Sequence, residues 1–209
     1  MEYIKNPMAI EEGSMQIIES EMTAPEDFTS DALKVIKRVI HTTADFEYES
    51  LIRFSGDPIE KGIQHIKRGC KIYGDTNMIT VGVNRVLLQA YGCTMVNYVH
   101  DEDVKAQALE KGITRSMVAM EKAFYDKEIG IYLIGNAPTA LIKLLELIDK
   151  QGHFDGLIVG VPVGFVGAKE SKELLMERDI PYISIKGRKG GSPVAVAMMN
   201  AILKIGKER

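Results

Sequence analysis

The stretch Ile129-Gly-Ile-Tyr-Leu-Ile134, followed by Gly135-Asn-Ala-Pro138-Thr-Ala-Leu141 and running on to Gln151-Gly152, decides the fold. Its first six residues carry no charge and no polar alternation, as a strand covered on both faces requires. A short turn follows, with Pro138 near the first helical position, where a missing N–H costs nothing. A helical period then holds to Gln151, and Gly152 stands where a helix ends in the left-handed conformation. This is one βα unit, and the same alternation recurs on either side of it. Strands are expected at Cys70–Tyr73, Thr94–Val99, Leu157–Val161 and Tyr182–Ile185. Helices are expected at Val83–Tyr91, Asp103–Glu110, Thr114–Tyr125, Lys169–Arg178 and Pro193–Ile205, with Gly92 and Gly112 as further C-terminal glycines. Short β-branched runs alternating with longer 3.6-period segments predict a three-layer α/β/α, doubly wound, mainly parallel five-stranded sheet.

Before Arg68 no convincing strand is found. Helices are expected near Ala9–Glu21, Ser30–Ile40, Asp45–Phe54 and Pro58–Arg68, punctuated by Pro7, Pro25 and Pro58. Leu33, Ile36, Val39 and Ile40 form one apolar stripe that must face the sheet or a partner subunit. No internal repeat, low-complexity tract or linker divides the chain, so residues 1–209 are expected to be a single domain. Within it, 1–68 form an N-terminal helical layer and 69–209 the sheet region.

Composition narrows the function classes. The 209 residues are 45% hydrophobic and 26% charged, as in ordinary globular proteins. The 26 Lys and Arg against 29 Asp and Glu leave a formal charge of −3, which gives no overall field for nucleic acid or anionic lipid. No apolar run approaches the ~20 residues of a membrane span. Met1–Asn6 do not read as a secretory leader, and a cytoplasmic location is expected. Cys70 and Cys93 form neither a disulfide framework nor a metal-ligand spacing, so neither a metal nor a cofactor is expected.

In open parallel sheets ligands bind beyond the carboxyl ends of the strands. Three loops there are rich in glycine or anion-binding residues: Gly135-Asn136-Ala137-Pro138, Pro162-Val-Gly164-Phe-Val-Gly167-Ala-Lys169, and Lys186-Gly-Arg188-Lys189-Gly-Gly191-Ser192-Pro193. Each alone passes for an ordinary βα turn. Together on one sheet edge they favour a polyanionic ligand held by amides, hydroxyls and cations. Gly160 to Gly167 spells G-x-x-x-G-x-x-G, not the dinucleotide fingerprint, and Gly187–Ser192 is no P-loop. No G-x-S-x-G elbow occurs.

His41 is the histidine in the most suggestive setting. It follows the helix Ser30–Ile40, whose carboxyl end favours an imidazolium suited to giving a proton and taking it back. Arg38, one turn earlier, shares its face and can fix a carboxylate nearby. The bland alternative is a capping histidine beside a solvated arginine. His65, His100 and His153 read as structural or surface residues. Gly13-Ser14 interrupts an otherwise good helix, at a cost near 1 kcal/mol for the glycine, which close approach of a ligand or another helix would explain. Thr114-Arg115-Ser116 opens a helix. The two hydroxyls suit capping as well as binding, whereas Arg115 opposes the helix dipole and better serves an external anion.

Taken in order, several blocks resemble the precorrin-8X methylmutase family, which includes the cobalt-precorrin-8 methylmutases. They are Ile10-Glu11…Ser14-Met15, Arg38-Val-Ile-His41-Thr-Thr-Ala-Asp45-Phe46, Asp75-Thr-Asn-Met78…Gly82-Val-Asn84 and Thr114-Arg115-Ser116. To these are added Gly135-Asn136-Ala-Pro-Thr-Ala-Leu141, Gly160-Val-Pro-Val-Gly164-Phe-Val…Glu170-Ser-Lys172 and Gly187-Arg188-Lys-Gly-Gly-Ser192. The resemblance implies an isomerase that moves a methyl group from C-11 to C-12 of the corrin macrocycle by a 1,5-sigmatropic shift, giving hydrogenobyrinate or its cobalt form. It also implies a homodimer with the tetrapyrrole substrate near the subunit interface. His41 would be the proton donor and acceptor. Ser14 and Arg38 fall on substrate-binding positions, and Thr114, Arg115, Ser116, Gly135, Asn136 and Arg188 are added as further substrate contacts. The residues agree with this, because a corrinoid bears many acetate and propionate groups and a methyl shift needs no nucleophile, metal ligand or nicotinamide. Two alternatives stand beside it: a non-catalytic corrinoid carrier, and a nucleotide-dependent α/β transferase using the glycine loops.

Overall fold

The computed structural model describes residues 5–209. Met1–Ile4, on which the leader reading partly rests, lie outside the described residues. The strands are β1 (Ile52–Ser55), β2 (Lys71–Gly74), β3 (Thr94–Val96), β4 (Ile129–Ile134), β5 (Leu157–Gly160) and β6 (Tyr182–Ile185). They form one sheet in the order β1-β6-β5-β4-β2-β3. Every neighbouring pair is parallel except β1, which runs antiparallel to β6 with Ile52 opposite Ile185. All six residues of β4 are buried, as its lack of polar alternation requires.

Eleven helices are found among the described residues. They are α1 (Pro7–Glu21), α2 (Ser30–Thr43), α3 (Tyr48–Leu51), α4 (Pro58–Lys67), α5 (Asn77–Gly82), α6 (Arg85–Tyr91), α7 (Glu102–Lys111), α8 (Arg115–Tyr125), α9 (Pro138–Gln151), α10 (Ala168–Met176) and α11 (Ser192–Glu208). One sheet face, with Ile131, Leu133, Leu157, Val159 and Ile183, packs into a core with α2, α4 and α11. The other face, with Tyr73, Tyr132, Ile134 and Ile158, packs against α8, α9 and α10. Mixed α/β layering on a mainly parallel sheet is thus as expected, and Gly92, Gly112 and Gly152 all end their helices at positive φ.

Three expectations are corrected. The sheet has six strands, because Asp45–Phe54 is not one helix: after the single turn α3, Ile52–Ser55 extends as β1 and pairs the open edge of β6. Helical propensity is overridden there by the unpaired backbone of β6, which needs partners. β3 stops at Val96, since the Asn97 amide turns back to the Gly74 carbonyl at 2.5 Å while its Oδ1 accepts from the Val99 N–H. Finally, the stripe on α2 needs no partner subunit. Ile36, Val39 and Ile40 are buried against α11 of the same chain, with Leu33 packed at the margin.

Candidate functional site

The C-terminal edge of the parallel strands gathers most of the expected residues, and each is brought there by an identifiable contact. α2 continues past Ile40 to Thr43 and stops where Ala44 takes the left-handed conformation, φ 53°. The chain then turns through Asp45 and Glu47 into α3 and β1. Because β1 begins opposite the end of β6, the end of α2 lies at the same edge as the cationic loop after β6. Lys189 of that loop binds both carboxylates of the turn, Asp45 and, at 2.5 Å, Glu47, with its ammonium 5.8 Å from the Tyr48 ring centre. The Lys189 hydrogen bond holds the Asp45 carboxyl below its ordinary range. His41 is exposed on the last turn of α2.

Next along the edge, the Thr76 and Ser192 hydroxyls are 2.9 Å apart, tying the loop after β2 to the start of α11. Asp75 is buried beside them and accepts N–H bonds from Gly135, Asn136 and Ala137 at 3.0, 2.9 and 2.7 Å. Burial pushes its carboxyl up, and the three amides pull it back. The amides expected to receive an external anion are therefore occupied by an internal one, and of Asn136 it is the exposed side chain that faces solvent. Gly135 has a packing reason for being glycine, since a Cβ there would lie 2.7 Å from the Ser192 backbone. Thr114 caps α8 by accepting from the Met117 N–H and sits 3.2 Å from the Thr139 hydroxyl, which places α8 at this edge on the other sheet face. Arg115 is exposed and makes no ion pair among the described residues, with Ser116 half-buried beside it. Arg188 is exposed and lies over the Phe165 ring, 5.5 Å from its centre.

Arg38 faces α1 instead of solvent. Its guanidinium binds Glu11 at 2.5 Å, and this contact is the largest reason that the Glu11 carboxyl sits below its ordinary range. Arg38, Glu11 and Thr42 line a groove of about 480 Å³ together with Asn84 and Leu87 of the α6 turn and Asn200 of α11. Ser14 is half-buried on α1 and donates to the Ile10 carbonyl at 2.8 Å. Apart from its chain neighbours and the backbone of its own helix, no atom of the described residues lies within 4 Å of where a Cβ on Gly13 would be, so the described residues do not supply the close approach expected there. The sequence reading overlooked Glu11, Asp75, Lys189 and Lys172 as structural partners. Lys189 had a visible signal in its place in the cationic loop, and Glu11, Asp75 and Lys172 only in their places within the family blocks. Among the described residues no group of three or more His, Cys, Asp or Glu could hold a metal ion.

A family model described as Precorrin-8X methylmutase matches residues 9–205. The chain belongs to the precorrin-8X methylmutase family. A cobalt-precorrin-8 methylmutase of Leptospira interrogans is 43% identical, over 96% of this chain and 94% of that protein. A precorrin-8X methylmutase of Pseudomonas aeruginosa is 39% identical, over 97% of each chain. Among solved structures, the precorrin-8X methyl mutase of Thermus thermophilus superposes with a TM-score of 0.88 at 39% identity, covering 96% of this chain and 97% of that one. As a methylmutase, the chain is an isomerase of cobalamin biosynthesis, and the nucleotide-dependent transferase and the passive carrier are set aside. No helix of the described residues is long and apolar enough to cross a membrane.

Proposed function

We propose that the rim joining the end of α2, the loop after β6 and the groove beside Arg38 holds precorrin-8X or cobalt-precorrin-8 while the methyl group moves from C-11 to C-12. One observation carries this: His41 stands exposed at the free end of α2, on the same edge as Lys189 and one turn from Arg38. It is the histidine of the described rim that is free to meet a ligand. His41 protonates or hydrogen-bonds the conjugated ring as the methyl migrates and recovers the proton afterwards, which lowers the barrier by stabilising developing charge. Arg38 and Arg115 grip peripheral carboxylates, and Arg188, Ser14, Ser116 and the Asn136 side chain supply further contacts. Thr114 and Gly135 act mainly by shaping this edge, through the cap of α8 and the close contact with Ser192. The whole chain works as one domain in the cytoplasm, without a cofactor. It pairs as a homodimer that brings a second subunit near the rim, and it binds neither nucleic acid nor membrane.

His41→Ala tests the assignment. The variant should fold and bind hydrogenobyrinate with little change, while the rearrangement, followed by the corrinoid absorption band, slows by roughly 10²–10⁴. Near-normal turnover would overturn it.

A further inference from the structure

Lys172, on α10, is fully buried, and its ammonium donates to the Lys189 carbonyl at 2.6 Å. It makes no ion pair with any described residue. Withdrawing an ammonium from water without a counter-ion is unfavourable, and a methionine of similar length would serve packing and stability better. Burial lowers its pKa to about 8. A residue this ill suited to its surroundings calls for a role in what it holds.

What it holds is the backbone of the cationic loop. Among the contacts that fix that loop, the Lys186 N–H donates to the Leu51 carbonyl, the Gly164 N–H to the Arg188 carbonyl, the Gly191 N–H to the Val161 carbonyl, and the Lys172 ammonium to the Lys189 carbonyl. Three of these are backbone pairs. Lys172 reaches the loop backbone with its side chain from α10, and it holds the residue whose own ammonium reaches across to Asp45 and Glu47, in the turn that follows His41. A continuous path therefore runs from α10, under the sheet edge, through Lys189 to the end of α2.

We propose that Lys172 is a positioning residue for the methyl shift: by holding the Lys189 carbonyl it sets the height of the cationic loop, and through Lys189 the placement of the His41 turn against the substrate. It touches no substrate itself. This rests on the rim being the corrinoid site.

The test is a double-mutant cycle on product affinity. Lys172→Met, Lys189→Met and the double variant are titrated with hydrogenobyrinate by its absorption band, and the thermal midpoint of each is recorded. Lys172→Met should melt no lower than the wild type. Each single variant should bind about tenfold more weakly, and the double variant should also lose about tenfold, not a hundredfold, because both act through one loop. Lys172→Gln, whose amide can still reach the carbonyl, should recover part of the affinity, and it takes the place of Lys172→Met in the cycle if that variant fails to fold. Unchanged affinity in Lys172→Met, or losses that multiply in the double variant, would overturn the positioning role alone. Unchanged affinity in Lys189→Met would instead remove the rim as the corrinoid site.

Discussion

Single residues divide into those whose surroundings follow from local sequence and those whose surroundings do not. Thr114 belongs to the first kind: a threonine ahead of a helical period caps it, and it does. Arg38 belongs to the second, because its partner Glu11 is remote in sequence and meets it only where α1 crosses α2. If that guanidinium exchanges Glu11 for a substrate carboxylate, Arg38→Ala should weaken product binding roughly ten- to a hundredfold. Lysine should restore only part, lacking the two-pronged geometry. Titration with hydrogenobyrinate reads both. His65 shows how burial alone sets a pH dependence. It lies against Gly130, and its Nε2 has no hydrogen-bond partner, with Asp155 at 3.7 Å. Burial lowers its pKa below 6.5, more than Asp155 raises it. Below that value the unfolded chain takes up a proton that the folded chain resists. Stability is therefore lost as the pH falls through 6.5 towards the folded value. Thermal midpoints from about pH 7 to about pH 5 should fall less in His65→Gln than in the wild type, and parallel curves would refute this.

Among the elements, the turn from β4 into α9 is the sharpest case of local sequence being completed from elsewhere. Glycine, asparagine and proline announce a turn, yet the carboxylate that satisfies its amides comes from Asp75, at the end of a neighbouring strand. Asp75→Asn keeps the shape but replaces an acceptor oxygen by a donor facing an N–H. It should lower unfolding free energy by roughly 1–3 kcal/mol in denaturant titration. A loss within error would mean that water or a shifted turn satisfies those amides as well. β1 teaches the converse. Ile52–Ser55 has no strand signal strong enough to stand against the helical reading of its surroundings, and it is a strand because β6 would otherwise present an open edge.

For the molecule as a whole, surface apolarity bears on assembly. The stripe on α2 that first suggested a partner is covered by α11, but Met8 and Ile10 on α1, Met78 and Val81 on α5, and Val86 on α6 remain exposed. α1 and α6 both border the groove beside Arg38. Removal of this surface from water is the physical basis for the proposed homodimer near the rim. Sedimentation at micromolar concentration should give twice the 23.2 kDa of one chain, and Val86→Asp should shift the mass towards the monomer. A monomer mass for the wild type would refute it.

The sequence by itself determined the βα rhythm, the buried parallel strands and the glycine-ended helices. All of these depend on residues near one another in the chain, whose periods and turn chemistry act locally. The ordered blocks also carried the family. Only the tertiary structure decided that Ile52–Ser55 extends, that the amides of Gly135 and Asn136 are already filled, that Arg38 is paired with Glu11, and that Lys172 is buried with its ammonium on the Lys189 carbonyl. In each case the partner is distant in sequence. A charged residue in a helix reads as solvated until the fold shows which backbone group lies at the end of its side chain.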